Sequence, residues 1–339
     1  MQLCTSLGSA AAMLEREFFL DHPRGLEISK WLCQLHLEYR ALEAAKSQAY
    51  LDMTEVGIAM PTSSKFSGMN QLLDLVPEIF PYVVKLDTHS GLGPQTTIVR
   101  TVQDLDLVFD RMQFFKTFTG LIQTYCTGQE YTVTVLVGQH NWQELGTAKD
   151  YKRQFDGDLG INTSGMGSIA PAPNRHLGHT AIIDQVVQVL RTRCDYRGPL
   201  SCQFLFDQCN LWLLEYNTRF CDPEFQSMLM RLNQSLVTAL AQCKDNEFID
   251  PVPQLSVNAV TVGLMHRLWP DPQSHRCDIT LDSSNFVISR MKGGWDYNNY
   301  WGSVTNAGTK SYRELAQEIY QFLSKQTLGP YRYRMDIGQ

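Results

Sequence analysis

Leu211-Trp-Leu-Leu-Glu-Tyr-Asn-Thr-Arg-Phe-Cys-Asp-Pro-Glu-Phe-Gln226 is the stretch whose reading settles the kind of fold to expect. Its first seven residues read as the second strand of a hairpin whose first strand runs over 201–207. Strand side chains repeat every second residue, so Glu215 and Asn217 share one face, about 7 Å apart. A carboxylate and an amide oxygen on one face, followed by Arg219, Asp222 and Glu224, form an oxygen-rich site. That suits a hard cation such as Mg2+, which takes a few protein oxygens and completes its shell with phosphates and water. The same residues also read as an exposed strand end with ordinary salt bridges, and spacing leaves both readings open.

Upstream, Pro81-Tyr-Val-Val-Lys-Leu-Asp87 reads as a buried strand with Lys85 inside it. A lysine there needs a partner or a cleft, so it is either a phosphate ligand or an edge lysine reaching water. Thr96-Thr-Ile-Val99 is the partner strand, and Ser90-Gly-Leu-Gly-Pro94 the turn. The backbone N–H groups of Ser90, Gly91 and Gly93 suit phosphate oxygens, or they simply close a hairpin. No Gly-Lys-Ser/Thr follows, which excludes a Walker loop. Between these regions lies Lys152-Arg-Gln-Phe-Asp-Gly-Asp-Leu-Gly-Ile-Asn-Thr-Ser-Gly-Met-Gly-Ser168. The whole segment 150–173 reads as a long polar loop, either a wrap for a small polar substrate or a surface loop.

Residues 1–40 read as helical, and further helices are expected over 41–56, 102–115, 180–193, 224–243 and 312–324. Strands are expected over 120–126 and 130–137. In the latter, Tyr131, Val133, Val135 and Val137 alternate with Glu130, Thr132 and Thr134, the pattern of a half-buried antiparallel strand. A linker is expected over 245–254. Strands and helices mix without regular β-α-β alternation, so the expected class is α+β. His176 and His179 read as capping or surface residues.

The chain has 339 residues, 43% of them hydrophobic, enough for two or three subdomains around a shared cleft. A formal charge of −6 argues against duplex nucleic acid as a partner. No apolar run reaches membrane-spanning length, and 1–13 does not read as a signal peptide. Nine cysteines without a C-x-x-C pair point to reduced, mostly buried thiols in a cytoplasmic protein.

Ala148-Lys-Asp-Tyr-Lys-Arg-Gln-Phe-Asp-Gly-Asp-Leu-Gly-Ile-Asn-Thr-Ser-Gly-Met-Gly-Ser-Ile-Ala-Pro-Ala-Pro173 is similar to the signature loop of the glycinamide ribonucleotide synthetase family (phosphoribosylamine–glycine ligases). Leu214 to Gln226 resembles that family's second signature, and weaker similarity extends over about 41–338. The resemblance implies an ATP-grasp fold: a shortened segment 1–40, an ATP-grasp region 41–247 with a lid over about 60–125, and a C-terminal domain 248–339. It implies an ADP-forming ligase, acting as monomer or homodimer, that activates glycine or another small amino acid as an acyl phosphate and couples it to an amine. By position, Lys85, Lys46, Glu130, Ser90, Gly91, Gly93, Gln123 and Tyr125 would hold ATP. Glu215 and Asn217 would hold Mg2+ or Mn2+. Arg219, Lys152 and Asp150 would act at the reacting groups. Asn162, Thr163, Ser164, Gly165, Met166, Gly167 and Asp222 would shape the substrate side.

The family's Gly-Gly-Arg-Glu-His turn is absent, the glycine loop lacks the family's lysine, and the adenine hinge reads Gln123-Thr124. The first departure leads to the expectation of an acceptor other than phosphoribosylamine. The alternatives are a phosphoribosylamine–glycine ligase proper and a non-catalytic nucleotide-binding scaffold.

Overall fold

The computed structural model describes residues 22–87, 95–112, 118–248, 252, 254–268, 279–281, 283–290 and 300–339. The described chain begins with two helices, α1 (Gly25–Ala44) and α2 (Lys46–Glu55). The helix expected over 41–56 is therefore broken at Ala45, whose φ of −84° and ψ of 60° leave the helical region. The restart at α2 is capped from outside. The backbone N–H of Ser47 donates to Asp87 Oδ1 at 2.8 Å, and the Thr119 hydroxyl donates to Asp87 Oδ2 at 2.7 Å. A carboxylate at a helix N-terminus satisfies an orphan donor and meets the positive end of the helix dipole.

A small antiparallel sheet follows, built from β1 (Ser63–Ser67), β2 (Tyr82–Leu86), β3 (Thr96–Val99) and β4 (Thr119–Thr124) in the order β1-β4-β2-β3. Helices α3 (Gly68–Leu75) and α4 (Val102–Met112) flank it. Phe66, Leu72, Tyr82, Val84 and Val99 form its own core.

The large sheet is also antiparallel. Its strands are β5 (Gln129–Val137), β6 (Trp142–Asp150), β9 (Gly167–Ala170), β10 (Gly198–Phe206), β11 (Leu211–Asn217), β12 (Asn258–His266), β13 (Val287–Arg290), β14 (Tyr300–Gly308) and β15 (Tyr331–Arg332). They run in the order β11-β10-β5-β6-β9-β12-β14-β13, with β15 on β12. Between β6 and β9, β7 (Arg153–Phe155) and β8 (Leu159–Asn162) pair as a separate ribbon. Helices α5 (His179–Cys194), α6 (Glu224–Leu229), α7 (Leu236–Asp245) and α8 (Tyr312–Leu323) complete the described chain. The α+β class expected from the sequence is the one observed.

β6 is the joint of the molecule. Thr147 and Ala148 pair with β5, and the next two residues, Lys149 and Asp150, pair with β9. β9 in turn pairs with β12, so strands from both sides of residue 248 share one sheet.

Several local expectations are corrected. The helix expected over 224–243 is two helices, with Ser235 at the N-cap position of α7 in extended conformation (ψ 133°). The polar segment 150–173 is not a loop but holds β7, β8 and β9. The C-terminal Arg334, 1% exposed, orders it by donating to Arg153 O at 3.1 Å and Asp158 Oδ1 at 2.8 Å. β5 is covered on both faces, because Thr132 donates to Glu224 and Thr134 shares a hydrogen bond with Ser201. Of the seven described cysteines only Cys202, Cys221 and Cys243 are buried. His179 is a core residue, 2% exposed, packed edge-on to Tyr131 and hydrogen-bonded to Glu144. Among the described residues no helix is long and apolar enough to cross a membrane.

Candidate active site

Between the small and large sheets lies a cavity of about 730 Å3. Fourteen of the sequence-derived candidates line it: Lys46, Lys85, Gln123, Tyr125, Glu130, Asp150, Lys152, Asn162, Thr163, Ser164, Glu215, Asn217, Arg219 and Asp222. They converge from α2, β2, β4, β5, β6, β8 and β11 and from the segments after β4, β6, β8 and β11.

Glu215 stands opposite Gln203 in the β10–β11 ladder. Lys46 Nζ lies 3.0 Å from Glu215 Oε2, and Lys85 Nζ donates to Leu214 O at 2.7 Å. Lys152 Nζ donates to Gln203 Oε1 at 2.7 Å and lies 3.3 Å from Glu130 Oε2. Three ammonium groups thus surround one carboxylate. Burial disfavours the Glu215 carboxylate, but Lys46, Lys85 and Lys152 outweigh it and hold its pKa far below the usual range. Burial also disfavours a charged Lys152, yet Glu130, Asp150, Glu215 and Glu224 outweigh it and keep that amine firmly protonated. At Lys85 burial wins, aided by Lys46 and Lys152 against the pull of Glu215, and its pKa falls to about 8.

The other end of the cleft is acidic. Burial, reinforced by Glu224, raises the Asp150 carboxyl well above its ordinary value, and its Oδ1 is buried without a hydrogen-bond partner. Glu224 is itself raised by burial and accepts a hydrogen bond from Thr132. Asp222 accepts one from Gln226. Arg219 sits beside this group, donating to Glu43 Oε1 at 2.8 and 3.0 Å and to Phe220 O at 3.2 Å.

Gly165 and Gly167 act behind the cleft rather than in it. Gly165 has φ +120°, and a Cβ there would lie 2.2 Å from Pro223 and 3.1 Å from Asp150 Oδ1. Gly167 pairs with Val262, where a Cβ would meet Thr261 O at 2.5 Å. Met166 is fully buried with Met265 and Tyr300. These three therefore pack beneath the cleft and do not line it, unlike the expectation that they shape a substrate site. The Gln123 side chain donates to Ser63 Oγ at 2.9 Å within the small sheet. Ser90, Gly91 and Gly93 lie outside the described residues.

Four participants escape sequence reasoning. Gln203 was legible only once the β10–β11 register was known. Glu43 and Tyr300 arrive from α1 and β14, far along the chain, with no local signal. Asp87 looked like the end of a strand and is a helix cap.

Among the described residues no three His, Cys, Asp or Glu side chains gather as a metal cage. Glu215 and Asn217 supply one ionised and one neutral oxygen donor. That fits a hard ion that takes its remaining ligands from phosphate and water.

Residues 44–225 match the model of the phosphoribosylglycinamide synthetase ATP-grasp (A) domain. The chain belongs to this family. As an ATP-grasp enzyme it is a ligase that forms C–N bonds and binds ATP. Among its curated relatives is the phosphoribosylamine–glycine ligase of Streptococcus pneumoniae, 25% identical over 321 residues, covering 88% of this chain and 75% of the relative. The crystal structure of the Thermotoga maritima phosphoribosylamine–glycine ligase superposes with a TM-score of 0.72 at 24% identity, covering 87% of this chain and 79% of that one. The Campylobacter jejuni biotin carboxylase in complex with β,γ-ATP shares the fold at a TM-score of 0.62 and 14% identity, covering 87% of this chain and 68% of that one. In this ATP-grasp chain the lysine-rich half of the cleft lies against the small sheet, and the acidic half lies against the strand β14.

Proposed function

We propose that this chain is a phosphoribosylamine–glycine ligase, with Mg2+ or Mn2+ as its metal. The observation that carries this is the single cleft in which Lys46, Lys85 and Lys152 ring Glu215 while Asp150, Asp222, Glu224 and Arg219 cluster nearby. The first group suits nucleotide phosphates. The second suits a small zwitterion, with carboxylates for its ammonium and arginine for its carboxylate. The curated relatives favour phosphoribosylamine as the acceptor over the different amine expected from the missing Gly-Gly-Arg-Glu-His turn.

Glycine's carboxylate attacks the γ-phosphorus of ATP, ADP leaves, and the acceptor amine then attacks the acyl carbonyl and expels phosphate. Lys152, protonated throughout, neutralises phosphoryl charge. Lys85 adds a second charge once the phosphates arrive. Glu215 and Asn217 would hold the metal, which when bound withdraws charge from the transferring phosphoryl group. Arg219 would exchange its Glu43 contact for the acyl phosphate oxygens. The small sheet, closing over the cleft, keeps water from the acyl phosphate.

The test is ADP release by the purified chain with ATP, Mg2+, glycine and phosphoribosylamine. Release that needs both substrates is expected, as is its loss on chelation of the metal. Glycine-dependent release that responds only to another amine would move the acceptor. Metal-dependent ATP binding with no release for any amine would point to a scaffold. Glu215→Gln should weaken metal-dependent ATP binding in calorimetry, a readout independent of turnover.

A further inference from the structure

We propose that Arg100 and Arg153 form a second anion subsite, for a phosphate-class dianion, where the small sheet meets the β7–β8 ribbon. A pocket of about 330 Å3 lies at this junction, walled by Thr96 and Arg100 on one side and by Arg153, Gly160 and Asn162 on the other; of these, Thr96, Arg100, Arg153 and Asn162 also line the main cleft, so the pocket adjoins it. Arg153 is 8% exposed. Its Nη1 donates to Gly160 O at 2.8 Å, but its Nη2 is buried with no hydrogen-bond partner. A buried guanidinium N–H without an acceptor is unfavourable, and a ligand oxygen would relieve it.

The charges point the same way. Arg100, exposed and 6.0 Å over the Tyr125 ring, is near enough that its charge acts with burial against that of Arg153. Two facing guanidinium groups repel unless an anion lies between them. Two acids also border the pocket, and both are engaged elsewhere. Asp104 accepts from the backbone N–H groups of Arg100 and Thr101 at 2.8 and 3.0 Å, and Asp158 pairs with Arg334 at 2.8 Å. Asp158 and Glu130 offset part of the charge around Arg153, but neither gives its Nη2 an acceptor. A tetrahedral dianion suits two guanidinium groups better than a carboxylate does, because it offers three terminal oxygens and two charges against two oxygens and one. A phosphate held here would bridge the small sheet to the ribbon and draw the two walls of the cleft together.

The subsite stands whether or not the acceptor is phosphoribosylamine, because inorganic phosphate probes it without turnover. Phosphate is titrated calorimetrically onto the full chain saturated with a non-hydrolysable ATP analogue, so that the nucleotide's own phosphate positions are filled. The variants are Arg100→Glu, a surface change that leaves the core intact, and Arg153→Lys, each checked by thermal melting. Phosphate affinity should fall at least about tenfold in Arg100→Glu, and by clearly more than affinity for the ATP analogue falls. Unchanged phosphate affinity in both variants, or equal losses for phosphate and analogue, overturns the proposal. The source of the anion is read from kinetics. A raised KM for a phosphorylated acceptor at constant kcat assigns the subsite to the acceptor's phosphate. An unchanged KM with weakened inhibition by phosphate assigns it to the released product.

Discussion

Lys85 carries an amino group through a strand buried along its whole length and delivers it to Leu214 O at the edge of the cleft. Burial is the first cause of its lowered pKa of about 8, so the resting enzyme near that pH holds this lysine only partly charged. Nucleotide phosphates favour the charged form. ATP binding at pH 8.5 should therefore take up a proton, and the uptake should vanish below pH 7, where Lys85 is already charged. Calorimetry in buffers of different ionisation enthalpy measures it, and Lys85→Met should remove it. A wild-type protein showing no uptake would place Lys85 away from the phosphates. The linkage to stability has the opposite sense. Because the folded pKa lies below the unfolded 10.5, this group's penalty on folding is full below pH 8 and fades as pH rises toward 10.5. Lys85, Glu215 and Asn217 were legible because a strand's two-residue period places side chains on faces without further information. Glu43 and Gln203 were not, since each is defined by a partner far along the chain.

At the scale of elements, α2 and the small sheet are tied by one carboxylate. Asp87 accepts from the Ser47 backbone and from the hydroxyls of Ser47 and Thr119. Removing it in Asp87→Ala should cost about 1–2 kcal/mol, as loss of a helix cap does. Asp87→Asn, which keeps an acceptor oxygen, should cost less. Denaturant midpoints compare the two, and equal losses would mean that the cap contributes little. The helix break at Ala45 was hidden because its cause, Asp87, lies 42 positions later. The ribbon within 150–173 was hidden for the same reason. Its glycines and polar residues read as loop, and they become strands only when Arg334 supplies charge and hydrogen bonds from the C-terminal tail.

At the scale of the molecule, a buried chain of hydroxyls crosses from β9 through α6 and β12 to β14. Ser168 Oγ meets Ser227 Oγ at 2.6 Å, Ser227 meets Thr261 at 2.7 Å, and Thr261 meets Thr305 at 3.0 Å. These contacts bind the strands after residue 258 to the floor of the cleft. Ser227→Val would strip a partner from both Ser168 and Thr261 in a dry interior, and should destabilise by about 1–3 kcal/mol in equilibrium unfolding. A change below about 0.5 kcal/mol would mean that the apolar packing around Ile169, Val260 and Val304 carries the junction alone.

The amino-acid sequence by itself determined the α+β class, six of the fifteen described strands and fourteen residues of the cleft, because periodicity, β-branched runs and two long motifs are local properties. Only the tertiary structure decided how those residues are charged and held. Glu215 stays ionised because three lysines from different elements surround it. Asp150 is raised because the fold shuts it away from water and sets Glu224 beside it. Met166, just ahead of β9, does not line the cleft because it packs into the interior against Met265 and Tyr300. Burial and long-range electrostatics depend on neighbours distant in sequence, so no reading of successive residues supplies them.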